Sequence, residues 1–90
     1  MPFSVEVHKK AAKALEKLEP TTRERIKEAL RCLQDEPVPI TIYDVVKLEG
    51  SAHTYRIRVG KYRIIYDVYW NEKKVWVLII EKKRDKTYKF

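Results

Sequence analysis

The sequence predicts an α+β fold: an N-terminal strand, a two-helix hairpin and a three-stranded antiparallel meander. That makes about four strands, with the helices packed on one face. Three observations predict it. The apolar period is 2 at the N-terminus and becomes helical between Lys9 and Leu33, while three β-branched and aromatic runs follow from Thr54 onward. Only short turns, Gly60-Lys61 and Asn71-Glu72-Lys73, separate those three runs. Ninety residues with 44% hydrophobic content are enough for one domain, 1–90, around a single core, and its ten aromatics argue against disorder.

Each element has its own signature. Phe3, Val5 and Val7 alternate with Ser4, Glu6 and His8, the pattern of a strand with one buried face, and His8 falls outward at its end. Ala11, Leu15 and Leu18 then recur at helical spacing, with lysines on the other faces, until Pro20 stops the helix. Thr21 and Glu24 have capping-box spacing and open a second helix, whose stripe is Ile26, Ala29, Leu30 and Leu33. Pro37 and Pro39 end it. A long connection to Gly50, containing Ile42, Val45, Val46 and Leu48, should pack along the body. The runs Thr54–Val59, Tyr62–Trp70 and Lys74–Lys82 are the meander, and strand 1 should pair beside one of its members. The near-continuous apolar character of the last run suggests a central strand covered on both faces. Beyond it lies a basic tail with Tyr88 and Phe90.

Charge is distributed unevenly. Residues 1–50 hold nine Lys/Arg and nine Asp/Glu, whereas residues 51–90 hold eleven against four, which gives the entire +7. A neutral half joined to a cationic half reads as a scaffold plus an anion-binding surface, and phosphate backbones are the commonest polyanions such a surface meets. The single cysteine, Cys32, rules out an internal disulfide and a cysteine-based zinc site; it reads as a reduced structural thiol in a cytoplasmic protein. The N-terminus lacks the basic and apolar regions of a secretion signal, and no apolar run reaches a membrane span, so no membrane association is expected.

Conventional catalytic sets are missing. His8 and His53 are far apart in sequence, with no metal-ligand spacing, and Ser4 and Ser51 have no assignable base. No glycine-rich phosphate loop occurs. No metal and no cofactor are expected. What remains is cationic. Arg56 and Arg58 share one strand face, about 6.6–6.8 Å apart at the usual rise. Arg63 opens the neighbouring strand, and Arg84 and Tyr88 follow the last one. Guanidinium forks suit phosphate oxygens, and several on one face repel each other unless an anion belongs there. Tyr62, Tyr66 and Tyr69 lie within a strand, where packing is their ordinary role, and His53 sits in the loop before the basic strand.

The run Lys47-Leu48-Glu49-Gly50, then Tyr55-Arg56-Ile57-Arg58-Val59-Gly60-Lys61-Tyr62-Arg63-Ile64-Ile65-Tyr66, resembles the central signature of the RelE/ParE toxin superfamily. The order of elements and the closing Arg84…Tyr88 extend the likeness over the chain, and Pro37 and Pro39 resemble the archaeal RelE branch. The resemblance implies the toxin of a type II toxin–antitoxin system, which enters the ribosomal A site on the 30S subunit, cuts messenger RNA and inhibits translation. It implies a RelB-like antitoxin that wraps the toxin into a hetero-oligomer, the toxin alone being a monomer.

By the same resemblance Arg63 matches the arginine that binds the scissile phosphate. Arg84 matches the basic residue after the last strand, and Tyr88 the tyrosine credited with proton transfer or base stacking. Arg58 joins them in the catalytic set. Arg56, Lys47, Lys61, Lys83 and Lys86 are the expected RNA-binding residues. Arg56 and Arg58 depart from the lysines of bacterial relatives, and a guanidinium does not shuttle protons at neutral pH. Arg58 should therefore stabilise charge. Two rivals remain open: a ParE-like toxin that acts on a topoisomerase, and a non-catalytic RNA- or ribosome-binding module.

Overall fold

The computed structural model describes residues 2–82. In chain order the elements are β1 (Ser4–Val7), α1 (Lys9–Glu16), α2 (Pro20–Asp35), β2 (Asp44–Lys47), β3 (Thr54–Val59), β4 (Tyr62–Tyr69) and β5 (Lys74–Lys82). The strands form one mixed sheet in the order β1-β5-β4-β3-β2. The meander is present as expected, and β1 closes the far side by pairing parallel to β5. The two helices carry the chain over one sheet face from β1 at one edge to β2 at the other, and the antiparallel strands β2 to β5 return it to lie parallel beside β1.

The sheet has five strands, not four. The fifth, β2, lies in what the sequence presents as a connection, and its four residues pair antiparallel with β3. Its alternation is too short to stand out, and only Val45 turns toward the core while Val46 is exposed. The connection before it is tied down by prolines. Pro39 is fully buried, and the Tyr66 phenol donates a 2.7 Å hydrogen bond to the Pro37 carbonyl.

The helix boundaries differ from the sequence reading at two caps. His8 is the N-cap of α1, its Nδ1 accepting from the Lys10 amide at 3.4 Å, although alternation placed it as an outward strand residue. Pro20 opens α2 as well as separating it from α1; Glu19 is the N-cap and Thr21 falls inside the first turn, so the Thr21–Glu24 capping box is not formed. Proline's fixed φ and missing N–H suit that first helical position, and this outweighs a threonine cap one residue later.

Ile26, Ala29, Leu30 and Leu33 of α2 and Ala11 of α1 pack on Ile57, Val59, Ile64, Tyr66, Val68, Val75, Val77 and Ile80. Both helical stripes are thus core, as predicted. β5 does lie inside the sheet, but it is covered on one face only. Val75, Val77 and Ile80 are buried, whereas Ile79 is 42% exposed. Its continuous apolar run has a local cause: Ile65 pairs with Ile79 and Tyr66 with Val77, so Leu78 is an extra residue in the ladder. Such a bulge switches the inward parity from Val77 to Ile80 and blurs the alternation. Among the described residues no helix is long and apolar enough to cross a membrane.

Candidate functional site

The sheet face that the helices leave uncovered among the described residues carries the candidate site. Ile57 and Val59 point into the core, so strand alternation turns Arg56 and Arg58 outward. The same rule turns Arg63 outward beside buried Ile64. Register then sets one row across four strands: Asp44 of β2 opposite Arg58 of β3, Arg58 opposite Arg63 of β4, and Arg63 opposite Glu81 of β5. Neighbouring strands lie about 4.8 Å apart, so Arg58 and Arg63 are immediate neighbours of like charge.

The carboxylates at the two ends of the row relieve that repulsion. Asp44 Oδ2 lies 3.3 Å from Arg58 Nη1 and 3.7 Å from Arg56 Nη2, bridging the two. Glu81 Oε2 accepts from Arg63 Nε at 2.6 Å. Glu81 engages only that one nitrogen, so among the described residues the terminal nitrogens of Arg63 have no protein acceptor. Arg56 Nε is buried and also lacks one. Three guanidiniums against two carboxylates leave one positive charge, with unused donors on an open face. That arrangement suits an anion that accepts several hydrogen bonds at once, such as a phosphodiester.

The structure thus brings Arg56, Arg58 and Arg63 together. Lys61 stands in the β3–β4 turn, exposed and close to the row. Lys47 is not brought in: it pairs with Tyr55 and shares the parity of Val45, which places it on the helix side of the edge strand. Lys83, Arg84, Lys86 and Tyr88 lie outside the described residues. Sequence reasoning missed Asp44 and Glu81. Asp44 lay in an unrecognised strand, while Glu81 was legible as an acid closing an apolar run, two residues before the basic tail.

His53 lies apart from the row. It packs on Tyr69 with ring centroids 4.8 Å apart, and its Nε2 is 4.0 Å from Asp67 Oδ2. Thr54 Oγ1 and the Tyr69 phenol also donate to Asp67, at 2.5 and 3.2 Å. Desolvation, followed by the Asp67 charge, pushes the Tyr69 phenol above its ordinary range, so it remains a donor at neutral pH. Burial raises the Cys32 thiol, with Glu36 and Asp35 adding to the effect, which fits an unreactive structural thiol. Among the described residues no three His, Cys, Asp or Glu side chains group as metal ligands.

Residues 5–86 match the sequence model of the family described as the ParE toxin of the type II toxin–antitoxin system, parDE. The toxin-family protein RelE1 of Methanocaldococcus jannaschii is 37% identical over 99% of this chain and 98% of its own length. The chain belongs to the RelE/ParE toxin family. A chain of the archaeal RelE–RelB complex from Pyrococcus horikoshii superposes with a TM-score of 0.85 at 39% identity, covering 97% of this chain and all of that one. The isolated E. coli RelE toxin gives a TM-score of 0.80 at 25% identity, over 94% of this chain and 88% of its own. Its relatives by name and structure place it with RelE, as a toxin of the type II class. The tyrosine–arginine run that first suggested this family is the β3–turn–β4 hairpin, and its arginines form the centre of the charged row.

The row sets an expectation for binding. Asp44→Asn removes the carboxylate that Arg56 and Arg58 share. Affinity for a single-stranded oligonucleotide should rise about threefold to tenfold, or ~1 kcal/mol, as expected for one charge at this range near a surface. Fluorescence anisotropy at fixed salt measures it. Unchanged or weaker binding would mean that Asp44 positions the arginines more than it competes with an anion.

Proposed function

We propose that this RelE-family toxin is a ribosome-dependent endoribonuclease that cleaves messenger RNA in the A site and so arrests translation. The observation that carries the reading is the Arg58–Arg63 cross-strand pair, with the terminal nitrogens of Arg63 unengaged among the described residues and so available to a phosphate. RNA supplies its own nucleophile. The 2′-oxygen attacks the adjacent phosphorus, its proton passes to a base, and the bond to the 5′-oxygen breaks; that oxygen takes a proton from water, leaving a 2′,3′-cyclic phosphate and a 5′-hydroxyl. The enzyme need only align these atoms and stabilise charge building on the phosphoryl oxygens, a task for Arg58 and Arg63 with Arg56 beside them. The scheme uses no metal or organic cofactor.

Chain connectivity supports roles for Arg84 and Tyr88. Lys82 pairs with Tyr62, next to Arg63. Arg84 stands two residues further on, within about 7 Å of backbone reach, and Tyr88 within about 21 Å. Arg84 would add a fourth guanidinium. Tyr88 would take up the 2′ proton or stack on a base. Such a site has no strong base, and so it depends on the ribosome to hold the message in line. Complexes of relatives with RelB support a RelB-like antitoxin as the partner that masks the toxin, which would be a cytoplasmic monomer when free.

Primer extension on message in a translating extract tests the reading. Discrete codon-associated cuts that require the ribosome are expected. Intact message with stalled topoisomerase complexes would instead favour the ParE-like reading, which the matched family description keeps in play. Ribosome binding without cuts would reduce the chain to a binding module.

A further inference from the structure

We infer that a groove around the β3–β4 turn, lined by Arg25 and Lys61, is a second phosphate site, which holds the RNA strand where it leaves the scissile position. The inference rests on the RNA-cleaving reading above and extends its site through Lys61 to Arg25 of α2. Two adjoining hollows flank Gly60. One, of about 400 Å³, runs from Arg58 and Asp44 past Val59 to Arg25 of α2. The other, of about 430 Å³, continues from Arg25 past Lys61 to Thr22. Arg25 and Gly60 line both, so the groove is continuous with the arginine row at one end and reaches the start of α2 at the other.

The charges in it are unevenly satisfied. Glu28 is taken by Arg31 at 3.0 Å, and Glu19 accepts from the Thr22 hydroxyl at 3.1 Å. Arg25 and Lys61, both exposed, form no ion pair among the described residues. The Arg25 guanidinium lies over Gly60. A Cβ there would come within 3.2 Å of Nη1 and 3.6 Å of Cζ and Nη2, and Gly60 has φ +60°. Glycine therefore answers two demands, a left-handed turn and room for a flat cation above it. An unpaired arginine seated over a glycine beside a lysine is a phosphate cradle, and its continuity with Arg58 favours the same strand that carries the scissile bond.

The test uses the full chain and a 12-nucleotide single strand made entirely of 2′-deoxynucleotides, which has no 2′-hydroxyl and remains intact. Binding is followed by anisotropy across a salt series and repeated with a dinucleotide that holds one phosphate. Arg25→Gln should weaken 12-mer binding about threefold to tenfold and flatten the log–log salt slope by ~0.7, the value for one phosphate contact on a single strand. Arg25→Lys should restore part of both, and the dinucleotide should not distinguish the variants. Equal affinity and slope for Arg25→Gln and the parent would overturn the second site alone. An equal loss on the dinucleotide would show Arg25 acting through the turn on the arginine row. Normal 12-mer binding with lost binding to 30S subunits would assign the groove to ribosomal RNA, and a parent that binds neither oligonucleotide would overturn this site, while primer extension in the translating extract decides the reading beneath it separately.

Discussion

Arg63→Ala should reduce message cleavage in a translating extract by about 10²–10³-fold, the usual consequence of removing one preorganised donor from a developing oxyanion. Arg63 combines an Nε anchored on Glu81 with terminal nitrogens directed to an open face, which fixes the fork before substrate arrives. Arg63→Lys keeps the charge but loses both the anchor and the planar fork, so it should recover only a small part of the rate. Glu81→Gln separates the two contributions. It leaves the guanidinium in place but turns the ion pair into a weaker hydrogen bond from the guanidinium to a neutral amide, and a loss of about tenfold is expected, on the scale of one such hydrogen bond. Arg63 and Glu81 are 38% and 41% exposed, so none of these changes should alter stability by more than ~1 kcal/mol. Cleavage by Arg63→Ala at the parental rate, with melting unchanged, would remove Arg63 from the chemistry.

Much of this molecule was legible because its strongest signals are periodic. Ile26, Ala29, Leu30 and Leu33 mark a helix that tertiary contacts did not need to correct, and all four are buried. The alternation of Arg56 and Arg58 with Ile57 and Val59 is enough to define the arginine face from the sequence. The failures share a physical origin in short-range competition. Four residues of β2 present too few alternations to separate a strand from a connection, and with β2 went Asp44. The bulge at Leu78 broke the period of β5 and made a half-covered strand look fully covered. At the α2 cap two valid local rules conflicted, and the proline won. Cross-strand partners such as Arg63 and Glu81, eighteen residues apart, depend on register, which the turn chemistry alone did not fix.

Tyr66→Ala should be the most damaging single substitution in the core. Tyr66 is wholly buried, packs near-parallel to Tyr55 at 6.0 Å between centroids, and ties β4 to the Pro37 carbonyl. Large aromatic-to-alanine changes in a core remove about 3–5 kcal/mol. For a domain of this size, with a total of about 5–15 kcal/mol, that corresponds to a fall in Tm of about 15–30 °C or outright failure to fold. Tyr66→Phe isolates the hydroxyl. The ring stays, the Pro37 carbonyl loses its donor, and about 1–2 kcal/mol should be lost at neutral pH. The two forms should then converge as pH rises. Burial, with smaller contributions from Tyr55 and Cys32, holds the Tyr66 phenol well above its ordinary value. Its stabilisation is therefore complete below the unfolded phenol pKa of about 10 and is lost progressively above it, because only the unfolded chain can ionise there. Thermal melts by circular dichroism at pH 8 and in the alkaline range measure this. Parallel alkaline losses in Tyr66→Phe and the parent would place the titrating group elsewhere, while a Tyr66→Ala variant melting within a few degrees of the parent would mean that the β4–Pro37 tie does not hold this fold together.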